Sequence, residues 1–294
     1  MIDRLLTPGK LNLGLEVIRR RPDGYHDLAT IFQAIDICDE LTFTGADTFQ
    51  YRGPANVPEL LDIARPIFER AAKSQRWTGI LNWNKAIPVS AGLGGGSSDA
   101  ALALRLEHVG NQPDISEAAA IGADVPFLLS GGTALARGIG SELTPLPTPD
   151  LWFVVHVPDI QIPDKTRTLF GGLEAEDFTD GSEIDAIARS VILGTLPDSL
   201  PNAFQRQMHR FEGFSAAWER LEEIAGVAAL SGAGPSVFSW HAEAHEAKNV
   251  AGEMQSGASG RTFVCRALGA HDDELELRAF RRLLTGAGAI GDCI

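Results

Sequence analysis

The chain has only three cysteines in 294 residues, Cys38, Cys265 and Cys293. Their odd number and wide spacing exclude a CxxC metal site and a disulfide framework. No apolar run reaches the roughly 18 residues of a membrane-spanning helix. The opening stretch, "MIDRLLTPGKLNL", lacks the apolar core and small-residue cleavage site of a secretory signal, so a cytoplasmic location is expected. Positive charge is scarce, with 25 Lys and Arg against 39 Asp and Glu, a formal net charge of −14. That balance argues against a nucleic-acid or anionic-membrane partner. It leaves room for a small anion, which answers to local rather than net charge. Lysine and arginine are also missing from the most glycine-rich stretch, "GLGGGSSDAA" at 92–101. It is therefore not a Walker loop, and it is not a dinucleotide fingerprint, because the third glycine would fall on Ser97.

What is present is the composition of a folded protein, 44% hydrophobic and 22% charged, long enough for one large domain or two ordinary ones. "KLNLGLEVIRR" alternates as a strand would, with Leu11, Leu13, Leu15 and Val17 on one face. Pro22-Asp23-Gly24 is a turn signal, and "LATIFQAIDICDELTFTG" supplies a second strand-like stretch. "PELLDIARPIFERAAKSQ" has helical spacing with a break or kink expected at Pro66. Strand-like "GILNWNKAIPVSAG" feeds the glycine loop, and a buried-looking helix follows to Val109. Asp114 and Glu117 have capping-box spacing. Pro145, Pro147 and Pro149 cluster where a domain boundary is expected, dividing the chain into 1–148 and 149–294. Beyond them an apolar strand, "LWFVVHVP", is followed by helices around 184–192 and 214–224. A strand–glycine turn–strand unit, a further helix and a closing strand complete an α+β pattern. The last 25 residues carry no clear pattern.

Several stretches bear on chemistry. In "PVSAGLGGGSSDAALAL", Gly92, Leu93, Gly94, Gly95 and Gly96 let backbone N–H groups approach a ligand, and a helix opens at Ser97 or Ser98. A phosphate cradle and a flexible loop capped by serine are both compatible with that pattern. Lys10 begins a core strand, where a lysine is commonly a snorkelling edge residue. Asp124 precedes Val125-Pro126, which suits a plain helix N-cap. Tyr25 and His26 stand at the Pro-Asp-Gly turn, able to stack on a base or to pack back on the strand. "LSGAGPSVF" at 230–238 is a glycine turn between strands.

Taken in order, "PGKLNLGL", "PVSAGLGGGSSDAA" and "LSGAGPSVF" resemble the three motifs of the GHMP kinases, the galactose, homoserine, mevalonate and phosphomevalonate kinase family. The added "RPDGYH", "GADVPFLLSGG" and "GIGSELTPL" are similar to the branch whose acceptor is a cytidine diphosphate-linked methylerythritol of the non-mevalonate isoprenoid pathway. The likeness runs from about residue 5 to 170 and returns around 228–240. It implies an N-terminal ribosomal-S5-like α/β domain that binds ATP and a C-terminal ferredoxin-like domain that completes the substrate site. It implies transfer of the γ-phosphoryl group of ATP, with Mg2+, to the acceptor's 2-hydroxyl.

By motif position, Asp124 is then the base and Lys10 its partner. Lys85, Pro88, the loop from Gly92 to Gly96, Ser97 and Ser98 face ATP. The metal arrives with ATP, and Ser98 is a candidate ligand for it. Asn12, Tyr25, His26, Phe32, Thr166, Phe170 and Gly232 face the acceptor, with the cytosine between Tyr25 and Phe170. The chain departs from the family near Asn56 and Pro58 to Leu60, at the adenine side, and keeps Asn202 from a longer family stretch. A monomer or weak homodimer is expected. Two other readings stay open: the same fold acting on homoserine, mevalonate or a sugar, and a non-catalytic nucleotide-binding protein on the same scaffold.

Overall fold

The computed structural model describes residues 3–54, 57 and 62–285. Two long strands, β1 (Arg4–Arg20) and β2 (His26–Thr44), fold back on the Pro-Asp-Gly turn and pair antiparallel. The far edge of β2 is shared between β4 (Ile80–Asn84) at one end and β5 (Thr133–Gly138) at the other. β3 (Gln50–Arg52) and β6 (Glu142–Leu146) extend the sheet outward. Helices α1 (Arg65–Gln75), α2 (Gly95–Glu107), α3 (Ile115–Ile121) and α4 (Val125–Ser130) cover one face. Phe68, Leu104, Phe127 and the strand residues Phe32, Leu41 and Leu81 pack there.

The second sheet has four antiparallel strands, β7 (Trp152–Pro158), β8 (Ala229–Leu230), β9 (Val237–His241) and β10 (Gly260–Arg266), in the order β10-β7-β9-β8. Before β8 comes α8 (Glu212–Ala225) and before β10 comes α9 (Ala244–Gly257). This is the 4-1-3-2 order of a βαββαβ ferredoxin-like unit. Phe214, Trp218, Leu221 and Met254 of these helices pack on Val154 and Val237. Three shorter helices, α5 (Lys165–Gly171), α6 (Ser182–Ile192) and α7 (Gln205–Met208), lie in the connections. A shared core joins the halves: Leu11, Leu13, Ile31 and Ile35 of the first sheet meet Phe153, Val155 and Phe238 of the second, together with Ile184 and Val191 of α6. Helices on the outside of two facing sheets give the expected α+β class.

We propose that the chain divides at 148/149, in the stretch between β6 and β7, with one qualification. The tail does not stay with the second half. After β10, Ala267 donates to the Leu151 carbonyl and Leu268 to that of Ala34, and α10 (Glu274–Leu284) follows. Leu277, Phe280 and Leu284 are buried in the first core, and Asp273 pairs with Arg105 of α2.

Three local expectations are corrected. Pro66 neither breaks nor kinks a helix, because α1 begins at Arg65 and places it in the first turn, where a missing N–H is harmless. Leu15 and Val17 do not share a face with Leu11 and Leu13. The pairing shifts between Asn12 and Leu15, at Gly14 with φ of 92°, and sends Leu15 and Val17 to the core that Phe214 and Trp218 form on Val154 and Val237. Asp114 caps α3 by accepting from the N–H of Ser116, whereas Glu117 pairs with Arg70 instead of closing a capping box.

Candidate active site

β1 presents Lys10 and Asn12 on the same face, two residues apart, while Leu11 points into the shared core. The Lys10 ammonium is buried. It donates to Asn12 Oδ1 at 2.6 Å and lies 3.3 Å from Asp124 Oδ2 and 5.4 Å from the centre of the Phe32 ring. Asn12 is held in turn, its amide nitrogen donating to Thr30 Oγ1 at 2.8 Å, and Thr30 donating to the Gly14 carbonyl at 2.6 Å. Asp124 stands at the N-cap of α4, but its carboxylate makes no capping hydrogen bond and remains partly exposed beside Lys10. An aspartate not engaged in capping its helix is available to a ligand. Gly232 closes the group from the other half: at φ of 55°, a Cβ there would stand 3.0 Å from Asn12 Oδ1 and 3.3 Å from Lys10 Nζ.

The glycine loop is fixed through its carbonyls. Ser90 O accepts from Lys165 Nζ at 2.6 Å, and Ala91 O from Ser236 Oγ at 2.7 Å. Gly92 O accepts from Ser231 Oγ at 3.1 Å, and Leu93 O from the Lys10 N–H at 2.9 Å. Four successive carbonyls are thus engaged, three of them by the second half, and the loop's route into α2 is set. Gly94, at φ of 72°, is the N-cap of α2, whose unpaired first-turn N–H groups form an anion-binding end.

Two cavities meet at this loop. The larger, of about 1050 Å³, is walled by Lys10, Asn12, Asp124 and Gly232 near the loop and by Tyr25, His26, Thr166 and Phe170 farther out. The smaller, of about 270 Å³, is walled by Lys85, Pro88, Gly95 and Gly96 and by apolar Pro54, Val57, Ile63 and Ile87. Gly92, Gly94 and Ser97 belong to both. The larger cavity carries Lys10, Arg20, Lys165 and Arg167 against the single carboxylate Asp124. In a chain of net charge −14, this wall is locally positive.

Some expected residues occupy other roles. Leu93 packs in the shared core, and Ser98 is buried and donates to the Pro8 carbonyl at 2.7 Å; neither is on the wall of either cavity. Lys85 bridges Asp39 and Asp99, the latter at 2.5 Å. Burial pulls the Lys85 ammonium down, but the two carboxylates outweigh it and hold its pKa above the ordinary lysine value. Phe32 is buried and stacked on Phe127 at 5.0 Å, yet it also lines the larger cavity, as a floor beneath Lys10. Tyr25 is 62% exposed at the turn. His26, not Tyr25, stacks on Phe170, with ring centres 4.8 Å apart. Desolvation and the nearby Arg20 lower the His26 pKa, which keeps its ring neutral at pH 7, with one donor and one acceptor. The stretch from Asn56 through Leu60 includes positions outside the described residues.

Sequence reasoning missed Lys165, Ser231 and Ser236, whose contacts with residues 90 to 92 span 75 to 145 positions, and it left Asn202 without a role. Asn202 donates to the Leu230 and Gly232 carbonyls at 3.0 and 2.9 Å and so fixes the second glycine turn. Among the described residues no group of three His, Cys, Asp or Glu side chains is placed to hold a metal ion, and no helix is long and apolar enough to cross a membrane.

No family model matches the chain. It is 36% identical over 256 residues to the 4-diphosphocytidyl-2-C-methyl-D-erythritol kinase of Dehalococcoides mccartyi, covering 80% of this chain and 87% of that one. It is 37% identical over 288 residues to the protein of the same name from Geobacter metallireducens, covering 90% and 98%. A crystal structure of 4-(cytidine 5'-diphospho)-2C-methyl-D-erythritol kinase matches with a TM-score of 0.77 at 29% identity, covering 90% and 99%. The mevalonate kinase of Methanococcus jannaschii shares the fold with a TM-score of 0.61 at 14% identity, covering 92% and 99%. A glycine loop, a lysine–aspartate pair and a cleft lined by both halves on this fold define a small-molecule kinase of the GHMP type. Within that class, the chain belongs to the family of 4-diphosphocytidyl-2-C-methyl-D-erythritol kinases.

Proposed function

We propose that the protein transfers the γ-phosphoryl group of ATP to the 2-hydroxyl of 4-diphosphocytidyl-2-C-methyl-D-erythritol, a step of non-mevalonate isoprenoid precursor synthesis. The observation that carries this reading is the Lys10–Asp124 pair on the wall of the larger cavity, which also holds Tyr25, His26 and Phe170 and shares Gly92, Gly94 and Ser97 of the glycine loop with the smaller one. The smaller cavity takes ATP, with its base among Pro54, Val57, Ile63 and Ile87 and its phosphates along Gly92 to Ser97. The larger takes the acceptor, with its cytosine read by neutral His26 beside Phe170 and Tyr25.

In the reaction, the acceptor's hydroxyl oxygen bonds to the γ-phosphorus, the bond to the β–γ bridging oxygen breaks, and ADP leaves. The hydroxyl proton passes to Asp124. Lys10, 3.3 Å from that carboxylate, faces the charge that develops on the transferring group. Asn12 and Phe32 hold Lys10 in line. Mg2+ carried on the ATP phosphates would supply charge neutralisation. Buried Ser98 is a poorer candidate ligand than Ser97, which lies on both cavity walls. We further propose a cytoplasmic protein, monomeric or weakly dimeric, without a nucleic-acid partner.

The test is ADP release from Mg-ATP with this acceptor beside homoserine and mevalonate. Release with the cytidine-linked acceptor alone, suppressed by CDP, is the expected result. Release with another acceptor, insensitive to CDP, overturns the reading. Nucleotide binding without release for any acceptor favours a non-catalytic scaffold.

A further inference from the structure

Lys165 is the first residue of α5 and the cation that joins the two halves of the cleft. Its ammonium donates to Ser90 O, in the turn before the glycine loop, at 2.6 Å, and to Gly234 O, in the second glycine turn. Ser90 is 75 positions away and Gly234 is 69. An ammonium has three donors, and these contacts occupy two. The side chain also lines the larger cavity with Lys10, Thr166 and Phe170.

Among the described residues no carboxylate lies within ion-pair distance of Lys165, although Lys10 next to it has Asp124. A half-buried ammonium balanced only by carbonyl dipoles is costly to hold. The local backbone adds to that cost. Ser90 and Asp164, the residue before Lys165, have φ of 57° and 44°, in the left-handed region that non-glycine residues rarely adopt. The third such residue among those described, Arg76, is an ordinary helix C-cap. Burial, then the charge of Lys10, lower the Lys165 pKa to about 8. An anion entering the cavity offsets the charge cost.

We propose that Lys165 is a diphosphate ligand of this cleft, its third N–H meeting a nucleoside diphosphate's bridging or terminal oxygens while the other two tie the glycine loop to the second glycine turn. Two diphosphates reach this point, the one linking cytidine to the acceptor and the β,γ end of ATP. Assigning Lys165 to the acceptor's diphosphate rests on the reading above; its role as a diphosphate ligand does not.

The experiment compares wild-type, Lys165→Met and Lys165→Arg proteins by calorimetric binding of CDP, Mg-ADP and plain cytidine at pH 7, with melting temperatures as a check on folding. A charge-assisted hydrogen bond predicts a roughly 10- to 100-fold loss of diphosphate affinity in Lys165→Met. Cytidine affinity should be unchanged within about twofold, and Lys165→Arg should recover most of the loss. Loss for CDP alone assigns Lys165 to the acceptor side, and loss for ADP alone to the ATP side. Unchanged affinities for both in a folded Lys165→Met protein overturn the proposal and leave Lys165 a structural tie.

If Lys165→Met does not fold, the wild-type protein decides. The other charged or titratable groups on this wall are Lys10, Arg20, Tyr25, His26, Asp124 and Arg167. His26, with its lowered pKa, is already neutral above pH 7. Diphosphate affinity should therefore fall as pH rises from 7 to 9, with cytidine affinity flat, and a flat diphosphate curve overturns the proposal. Wild-type protein that binds diphosphates through Lys165 yet releases no ADP with the cytidine-linked acceptor refutes the proposed reaction and leaves this inference standing.

Discussion

Asp124 occupies the N-cap position of α4 without capping it, and that geometry decides what the residue does. A capping carboxylate faces its own backbone; this one lies 3.3 Å from Lys10 and faces the cavity. Asp124→Asn keeps the shape and loses the base. A loss of kcat of about 10²- to 10⁴-fold is expected, with CDP and ADP affinities within a few-fold of wild type. Near-normal kcat in that variant removes Asp124 from the proposed role. Lys10 and Asp124 were legible in the chain because flanking glycine, proline and apolar residues mark them out by motif, though spacing alone suits a snorkelling lysine and an N-cap. Lys165 was not legible. A lysine in "DKTRTLF" looks like any surface lysine until folding brings Ser90 and Gly234 to it, and no local pattern encodes those carbonyls.

The glycine loop and α2 form the element on which phosphate binding depends. Gly92, at φ of 84°, lies against the second glycine turn, where a Cβ would stand 2.4 Å from the Ser231 carbonyl. Gly92→Ala must therefore push the halves apart as well as strain the backbone. A stability loss of more than about 2 kcal/mol is expected, together with a rise in KM for ATP; denaturant melts and steady-state kinetics check both.

Beneath the loop, Asp39 accepts from the N–H groups of Ala86 and Ile87, and Asp99 accepts from Thr7. With Lys85 between them, two buried carboxylates share one cation. Burial, opposed by Lys85 and assisted by Asp39, pushes the Asp99 pKa up to about 7. The folded protein thus holds a proton there that the unfolded chain releases near pH 4, and this contribution to stability declines as pH rises from about 4 to 7. Asp99→Asn should flatten that decline without lowering the melting temperature at pH 7.5. An unchanged pH profile contradicts the assignment. The loop's outline was legible from composition, because glycines before an Ala/Leu helix announce a close backbone approach. The β1 bulge was not, because strict alternation gives no sign of where pairing slips; only Gly14 marks the place.

At the scale of the whole molecule, an acidic chain gathers four cations around one cleft and builds that cleft from both halves. Most of the order as far as β10 was legible because apolar periodicity and turn residues delimit each unit. Strands β3, β5 and β6 and the short helices α5 and α7 were not, being short or lying in glycine- and proline-rich stretches. The tail was not, since its polar opening conceals an amphipathic helix whose partners Arg105 and Gln75 lie 168 and 206 positions upstream. Phe280 of α10 is fully buried in the first core and meets the edge of Phe43 at 6.1 Å. Phe280→Ala should cost about 3–5 kcal/mol by chemical denaturation, and a cost below about 1 kcal/mol contradicts the docking of α10. The wider claim is that the two cavities exchange a phosphoryl group across Lys10 and Asp124. Phosphorus NMR of wild-type protein with Mg-ATP and 4-diphosphocytidyl-2-C-methyl-D-erythritol tests it most directly. A new phosphomonoester resonance growing in step with ADP, with the cytidine diphosphate linkage intact, is the predicted result. Unchanged ATP, or ADP accompanied only by inorganic phosphate, would contradict it.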